Sequence, residues 1–499
     1  MMSGPPHPEP VPLGVLFDGA AGRFTDAPVL RLGAIEITHG EFGEQVDRCA
    51  GLLAASGVGV GARVALSAQT SVEFVAAVVA VARLGGCTVM VSTSWHDREV
   101  KHAIGLTHPT HVVHDGSGAA SIGELLAVPT VHVDELASAP PAEHLPLAPV
   151  GLDDIAVMVF SSGTTGLPKA VRHTHRSIFH AIGHWIEALG LDSTDRLQVA
   201  TPPFHILGLL NIFAVLSAGA SMRLHRRFDL DAVLESVGRD GITVEMAVAP
   251  IALAMANHPD LERFDLSSLR YIMWGATPVS SAVANTVTRR SGVRFLAAYG
   301  ASELPVISAN PVRRPDEWRL DSVGLAPTGV ELRVVDLATG DVVAPGEPGE
   351  LEARSPSMMA GYLPEDANAD AFDAGWYRTG DVGTVDVDGW VTITDRVKEM
   401  IKVNGFQVAP AEVESLLIAH PGVIDCAVFG VPDPRTGEAV VAAVVLADQG
   451  GVEIDDLVAA VGSELASYKR IADIVVLDQI PRLPSGKVLR RELVSNHRS

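Results

Sequence analysis

Two apolar rhythms alternate along most of the chain. Residues 40–55 place apolar side chains at helical spacing, and Gly57 follows where a helix is commonly closed. The run 62–68 then reads as a strand. Residues 74–82 are apolar without interruption, closed by Gly85 and Gly86, and 87–91 is the next strand. Short apolar runs recur at 197–203, 220–225, 242–250, 269–276 and 293–300, several ending in Gly, Pro or Thr. Helix alternating with strand predicts parallel βαβ units, with helices on both faces of the sheet. In such sheets a ligand lies beyond the carboxyl ends of the strands, so chemistry is expected just after these runs.

Near residue 320 the texture changes. Segments 321–336, 346–355 and 383–396 are short alternating strands with Gly, Pro and Asp turns, as in a small β subdomain. Beyond Arg396 a compact α+β unit follows. A helix begins at Pro410, strands cover 426–431 and 439–447, a helix runs from about 454 to 467, and a last strand covers 474–477. The predicted fold class is α/β: a large N-terminal domain of βα-layered sheets with a β subdomain from about 320, residues 1–394, and a small α+β domain, 395–499, meeting at Asp395.

Length and charge narrow the function. With 499 residues the chain exceeds one ordinary core. A net charge of −23 argues against nucleic acid or an anionic membrane as partner. Cations that hold an anionic substrate must then be local and few. Three separated cysteines, Cys49, Cys87 and Cys426, fit a reducing cytoplasm better than a disulfide framework or thiolate metal site. The first twelve residues lack the features of a signal peptide, and the nine-residue apolar run is far short of the roughly 20 needed to span a bilayer.

Two glycine-bearing stretches need separating. In 57–64 the glycines follow a helix and precede a strand, the reverse of a dinucleotide loop, so this is a turn. SSGTTGLPKA, 161–170, leaves a buried strand and carries four hydroxyls, two glycines and Lys169. It lacks the standard nucleotide P-loop spacing, but exposed N–H groups, hydroxyls and one ammonium can form an anion cradle. By its residues alone it is either that cradle or a polar surface loop.

Company resolves the choice. PPFHILG (202–208), YGASE (299–303), YRTGD (377–381), DRVKEMIKVNGFQVAPAEVE (395–414) and PRLPSGKVLRREL (481–493) follow in order. In this order and spacing the motifs resemble the acyl-adenylate-forming superfamily, over almost the whole chain. The texture is most similar to acyl- and aryl-CoA ligases of the coumarate and fatty-acid type. The resemblance implies that Ser161, Ser162, Gly163, Thr164, Thr165, Gly166 and Lys169 cradle the outer phosphates of ATP. Gly275, Ala276, Tyr299, Gly300, Ala301 and Ser302 would border the adenine and phosphates. Asp381 would take the ribose hydroxyls, and Arg396 would support the ribose or phosphate side. Glu303, with Thr165, would bind Mg²⁺.

The same resemblance makes Lys487 the catalytic cation of adenylation. The small domain would turn at Asp395 and present Lys402, Gln407, Asn404 and Gly405, the last two along a thiol tunnel. Asn404 departs from the lysine often seen there in coumarate ligases. His205 would stand at the mouth of an acyl pocket lined by Ile206, Leu207, Trp274, Leu304, Pro305 and Val306; its other reading is a hydrogen-bonded structural histidine. YGASELPV is one residue shorter than the family's usual form, which predicts a reshaped pocket. His173 and His175 invite a metal reading but lack a third ligand at suitable spacing. Glu412 and Glu414 read as helix-start acids.

The implied function is an ATP-dependent carboxylate–CoA ligase working through acyl-AMP. Its partners would be a small carboxylic acid and CoA, with a homodimer compatible. A second enzyme reading keeps adenylation and changes the acceptor to a carrier-protein thiol, an amine or an oxyanion such as nitrite. A degenerate nucleotide-binding protein is disfavoured, because Lys169, Glu303, Asp381, Arg396 and Lys487 are all in place.

Overall fold

The computed structural model describes residues 9–116, 127–161, 167–275, 281–404, 406–447, 454–482 and 488–497, the side chains of Gln407 and Ala460 excepted. Within them four sheets carry the fold. The largest has the strand order Ser308–Ala309, Phe295–Tyr299, Tyr271–Trp274, Val244–Ala247, Arg196–Val199, Ser221–Leu224, Pro28–Leu32, Ile35–Thr38. It is parallel except at its two ends. The second orders Gly361–Leu363, Lys169–Thr174, Ile155–Ser161, Cys87–Met90, Arg63–Ser67, His111–His114, Thr130–His132.

The expected strands are present, and the helices between them are built as their sequences dictate. Helix His39–Ala55 opens with a capping box: Thr38 Oγ1 accepts from the N–H of Glu41, whose carboxylate accepts from the N–H of Thr38. Helix Val72–Arg83 is buried at every residue but Glu73. Burial on all sides is what an apolar stretch without a polar face requires, and it identifies this stretch as core. Among the described residues no helix is long and apolar enough to cross a membrane. Cys49, Cys87 and Cys426 are buried and unpaired.

One local outcome differs from a nucleotide P-loop in a telling way. The next strand described after Ile155–Ser161 is the antiparallel Lys169–Thr174, with Ser161 and Lys169 facing each other across the ladder. Gly361–Leu363 pairs along the other edge of Lys169–Thr174, with Tyr362 opposite Val171.

The third sheet is antiparallel: Glu331–Val335, Gly349–Arg354, Trp376–Val385 and Phe372–Asp373, with Val391–Arg396 also on Trp376–Val385. The fourth holds Phe406–Val408, Ile401–Val403, Gly437–Leu446 and Val423–Asp433, plus Ile471–Val476, with its own apolar core. Asp395 lies at the passage between them. Its backbone is still in the third sheet, opposite Val382. Its carboxylate accepts from the N–H of Arg396 (2.7 Å) and of Ala411 (3.0 Å), in the first turn of helix Pro410–Ile418. Nearby, Arg490 reaches Glu414 (2.7 Å) and Glu399, and donates to the Val428 carbonyl.

Burial pushes the Asp395 carboxyl up to about 6, against the pull of the two N–H donors and Arg490. A folded-state value above the unfolded one, about 3.9, means the folded chain holds this proton more tightly, so the penalty of ionising it vanishes at low pH. That penalty is full above about 6, where the buried carboxylate is ionised. Relative to the Asp395→Asn chain, wild type should therefore gain thermal stability as pH falls from 7 to 5. Parallel melting-temperature profiles would contradict this.

Candidate active site

The expected chemistry gathers where three sheets meet. Phe295–Tyr299 delivers Tyr299 at its carboxyl end, and the chain then turns sharply. Ile307 N–H donates to the Tyr299 carbonyl (2.8 Å), and Ala301 N–H to the Leu304 carbonyl (2.9 Å). A Cβ on Gly300 would stand 2.0 Å from the Pro305 carbonyl oxygen, so only glycine fits this turn. A second close approach sets the start of helix Ile206–Ala218, where a Cβ on Gly208 would lie 2.4 Å from the Pro202 oxygen. His205 is the residue before that helix, and burial lowers its pKa, so its ring is neutral at pH 7.

The nucleoside-side residues form one unit. Tyr299 Oη donates to Asp381 Oδ2 at 2.5 Å. Asp381 and Arg396 are directly opposite in adjacent antiparallel strands, and Arg396 Nε reaches Asp381 Oδ1 at 2.7 Å. This ion pair is thus a product of strand register. Burial opposes the charge on Arg396, but Asp381 outweighs it and the guanidinium pKa is raised. Burial first, then Asp381, raises the Tyr299 phenol, which remains a hydrogen-bond donor at neutral pH.

The phosphate-side residues form a second unit. Tyr362 Oη donates to Glu303 Oε1 at 2.6 Å, and Lys169 Nζ stands 4.8 Å from the centre of the Tyr362 ring. Buried Tyr377 joins the two units. Its phenol is raised by burial, then by Glu303, Tyr362, Tyr299 and Asp381, groups from both units. His173 locks the same loop: its Nε2–H donates to the Ser302 carbonyl at 2.7 Å. Burial lowers His173 to about 4, so it is a neutral spacer. Its neighbour His175 accepts from the Leu13 N–H (3.2 Å). These partners account for both histidines structurally, and among the described residues no cluster of three metal-ligating side chains occurs.

The structure brings Ser161, Lys169, Tyr299, Gly300, Ala301, Ser302, Glu303, Asp381 and Arg396 onto these two units and the segments that carry them. Gly275 is held by its N–H on the Ala247 carbonyl (3.2 Å), at the end of the neighbouring strand. Ser162, Gly163, Thr164, Thr165, Gly166, Ala276, Gly405, Lys487 and the Gln407 side chain lie outside the described residues. Lys402 exposes its side chain on the fourth sheet, while its N–H donates to Glu438 (2.6 Å). Asn404 sits at φ +52°, directly after Val403, which pairs with Phe406.

The predicted acyl-pocket residues do not all face one way. Leu304 and Val306 are fully buried in the main core, with Tyr271 and Met273, and Ile206 and Leu207 pack against it. Pro305 is half-buried between them. Trp274 belongs to a different core and packs edge-on against Phe295, ring centres 5.7 Å apart. Strand alternation is the reason: Tyr271 and Met273 point one way, Ile272 and Trp274 the other. Met273, not Trp274, shares the side of Leu304 and Val306.

Two family models match. One, described as AMP-binding enzyme, covers residues 17–363; the other, AMP-binding enzyme C-terminal domain, covers 412–487. The chain belongs to the AMP-binding enzyme family. Among curated relatives it is 34% identical over 475 residues to a feruloyl-CoA synthase of Amycolatopsis sp, covering 94% of this chain and 95% of the relative. It is 35% identical over 526 residues to 4-coumarate–CoA ligase 2 of Oryza sativa subsp. japonica, covering 97% and 92%. Among solved structures, ATP-bound MatB from Rhodopseudomonas palustris superposes with a TM-score of 0.91, at 28% identity over 97% of this chain and 99% of MatB. The amide bond synthetase McbA from Marinactinospora thermotolerans gives 0.89, at 29% identity over 97% and 100%.

For this member of the AMP-binding enzyme family, the sequence missed Tyr362, Tyr377 and His173 as parts of the site. The usable signal was tyrosine scarcity: of five in the chain, three converge here. Gly300→Ala should lower the melting temperature, since forcing the turn apart costs about 1–3 kcal/mol, and should weaken ATP binding. Wild-type melting and ATP titration in this variant would show that the turn is not needed.

Proposed function

We propose that the protein is an ATP-dependent, AMP-forming carboxylate–CoA ligase. In the first half-reaction a carboxylate oxygen attacks the α-phosphorus of ATP and pyrophosphate leaves. In the second, the CoA thiol attacks the acyl carbon of the acyl-AMP and AMP leaves. The observation that carries this reading is the pair of units around buried Tyr377: Tyr299–Asp381–Arg396 on one side, Lys169–Tyr362–Glu303 on the other. A nucleoside triphosphate has matching ends, ribose hydroxyls that donate to a carboxylate and phosphates that need a cation. Family membership and the CoA-ligase relatives support the same assignment.

In this reading Asp381 receives the ribose hydroxyls, and Arg396, fixed by register, keeps that carboxylate oriented. Tyr299 offers its ring to the adenine while its hydroxyl stays on Asp381. The hydroxyl- and glycine-rich segment between the paired residues Ser161 and Lys169 takes the outer phosphates. Glu303 suits Mg²⁺: Tyr362 occupies Oε1, and among the described residues no hydrogen bond is made to Oε2. One free carboxylate oxygen beside phosphates is how proteins commonly hold this hard cation. Mg²⁺ would supply neutralisation of phosphate charge. Lys487 would stabilise the charge developing during adenylation. Asp395, between the third and fourth sheets, is the proposed hinge between a 1–394 domain and a 395–499 domain. Turning there would exchange Lys487 for the face of Lys402, Asn404, Gly405 and Gln407. His205, neutral and partly buried, would border the acid beside Ile206 and Leu207. The buried free cysteines are consistent with a reducing cytoplasm.

Two measurements test this. Lys487→Ala should reduce acid-dependent pyrophosphate release by about 10²–10³-fold, the scale for one preorganised donor, while converting supplied acyl-AMP to thioester normally. Equal loss of both half-reactions would contradict the two-stage assignment. Second, pyrophosphate release should be screened over aryl and aliphatic carboxylates and nitrite, with and without CoA. Turnover on the best substrate should require CoA and yield its thioester. Turnover that ignores CoA, with an amine or other acceptor consumed, would replace the ligase reading by that of a different adenylating enzyme.

A further inference from the structure

We propose that Tyr362 is a positioning residue for nucleotide binding: it fixes Glu303 with its hydroxyl and receives Lys169 on its ring face, keeping the two charges apart until phosphate arrives. This rests on the adenylating reading above and assigns a role to a residue outside the motifs that led to it.

The geometry has three parts. Tyr362 sits on the short strand Gly361–Leu363, registered against the strand that starts at Lys169. Its position is held on both sides: its N–H donates to Asn368 Oδ1 (2.7 Å), and Ala360 N–H donates to the Arg172 carbonyl (2.8 Å). Met359 N–H donates to the Glu303 carbonyl (2.8 Å), so the same segment grips the backbone of the carboxylate's loop. Gly361, at φ +129°, lets the strand pass, since a Cβ there would lie 2.9 Å from Asn368 Oδ1. Backbone contacts thus place Tyr362 between Lys169 and Glu303 before its side chain acts.

The side chain then makes two different contacts. The hydroxyl meets Glu303 Oε1 at 2.6 Å, the length of a strong bond from hydroxyl to carboxylate. The ring face lies 4.8 Å from Lys169 Nζ, within the range of cation–π attraction. A phenylalanine would fill the same space, so packing alone does not call for the buried hydroxyl. A direct pair between Lys169 and Glu303 would cancel the cation meant for phosphate and the oxygen meant for a metal. A ring face holds an ammonium more weakly than phosphate does. Lys169 can therefore leave Tyr362 for an arriving anion, while Glu303 stays fixed.

Two variants separate the contacts. Tyr362→Phe keeps the ring and removes the hydroxyl; Tyr362→Leu removes both. ATP binding is read by calorimetry without acid, at graded Mg²⁺ concentrations and in EDTA, with melting temperatures in parallel. For Tyr362→Phe, ATP affinity in EDTA should match wild type, while the Mg²⁺ needed for half-maximal tightening rises about tenfold, as expected for loss of one bond to a charged group. That rise should vanish when Glu303→Gln is also present. Tyr362→Leu should weaken ATP binding in EDTA as well. A wild-type Mg²⁺ response in Tyr362→Phe, or the same rise with and without Glu303→Gln, overturns the proposal. If Tyr362→Leu does not fold, the Tyr362→Phe comparison decides alone. Failure of wild type itself to bind ATP would sink the adenylating reading instead, so the two failures are distinguishable.

Discussion

Two bonds from a phenol to a buried carboxylate hold the site together, because each crosses between structural layers. Tyr299 ends a strand of the largest sheet, and Asp381 lies in the small antiparallel sheet. Tyr362 belongs to the edge of the second sheet, and Glu303 to the turn after the first. A buried carboxylate without a donor is costly, so each bond fixes where its sheets can sit. The site is the junction those bonds define, and the junction exposes just those oxygen and nitrogen atoms a nucleotide can use.

Charge is handled sparingly there. The chain is strongly acidic overall, yet the junction carries Lys169 and Arg396, each with a different neighbour. Arg396 is committed to Asp381 by strand register and serves as scaffold. Lys169 rests on an aromatic face, which is a weaker attachment than an ion pair in similar surroundings. The first arrangement gives rigidity, the second availability. A site that must bind a tetra-anion and release pyrophosphate needs both. The neutral histidines, His173 and His205, add shape without adding charge.

The junction also explains which expectations about the acyl pocket need revision. Helix start and turn are both pinned by glycines at contact distance from a carbonyl, Gly208 on Pro202 and Gly300 on Pro305. These leave little freedom for the segments that carry His205 and Leu304. The strand between them presents Met273 on the side of Leu304 and Val306, and turns Trp274 toward Phe295. The chain's bulk at position 274 therefore packs in the second core, away from Leu304 and Val306.

The sequence by itself determined the strand and helix succession, because burial period and glycine punctuation are local properties. It also placed the phosphate-loop residues, Glu303, Asp381 and Arg396 in ordered motifs, and the capping of His39–Ala55 can be read from Thr38 and Glu41. Tertiary structure alone decided the rest. That Asp381 faces Arg396 depends on register; that Trp274 faces away depends on the pleat; that Lys169 begins a strand and not a helix depends on its pairing with Ser161 and on Gly361–Leu363 beyond. Tyr362 and His173 carry no local signal, and Tyr377, though it opens the motif 377–381, says nothing locally of its partners. Their partners lie from 59 to 129 residues away in the cases of Tyr362 with Glu303 and His173 with Ser302. Hydrogen bonds across such separations exist only once the sheets have met.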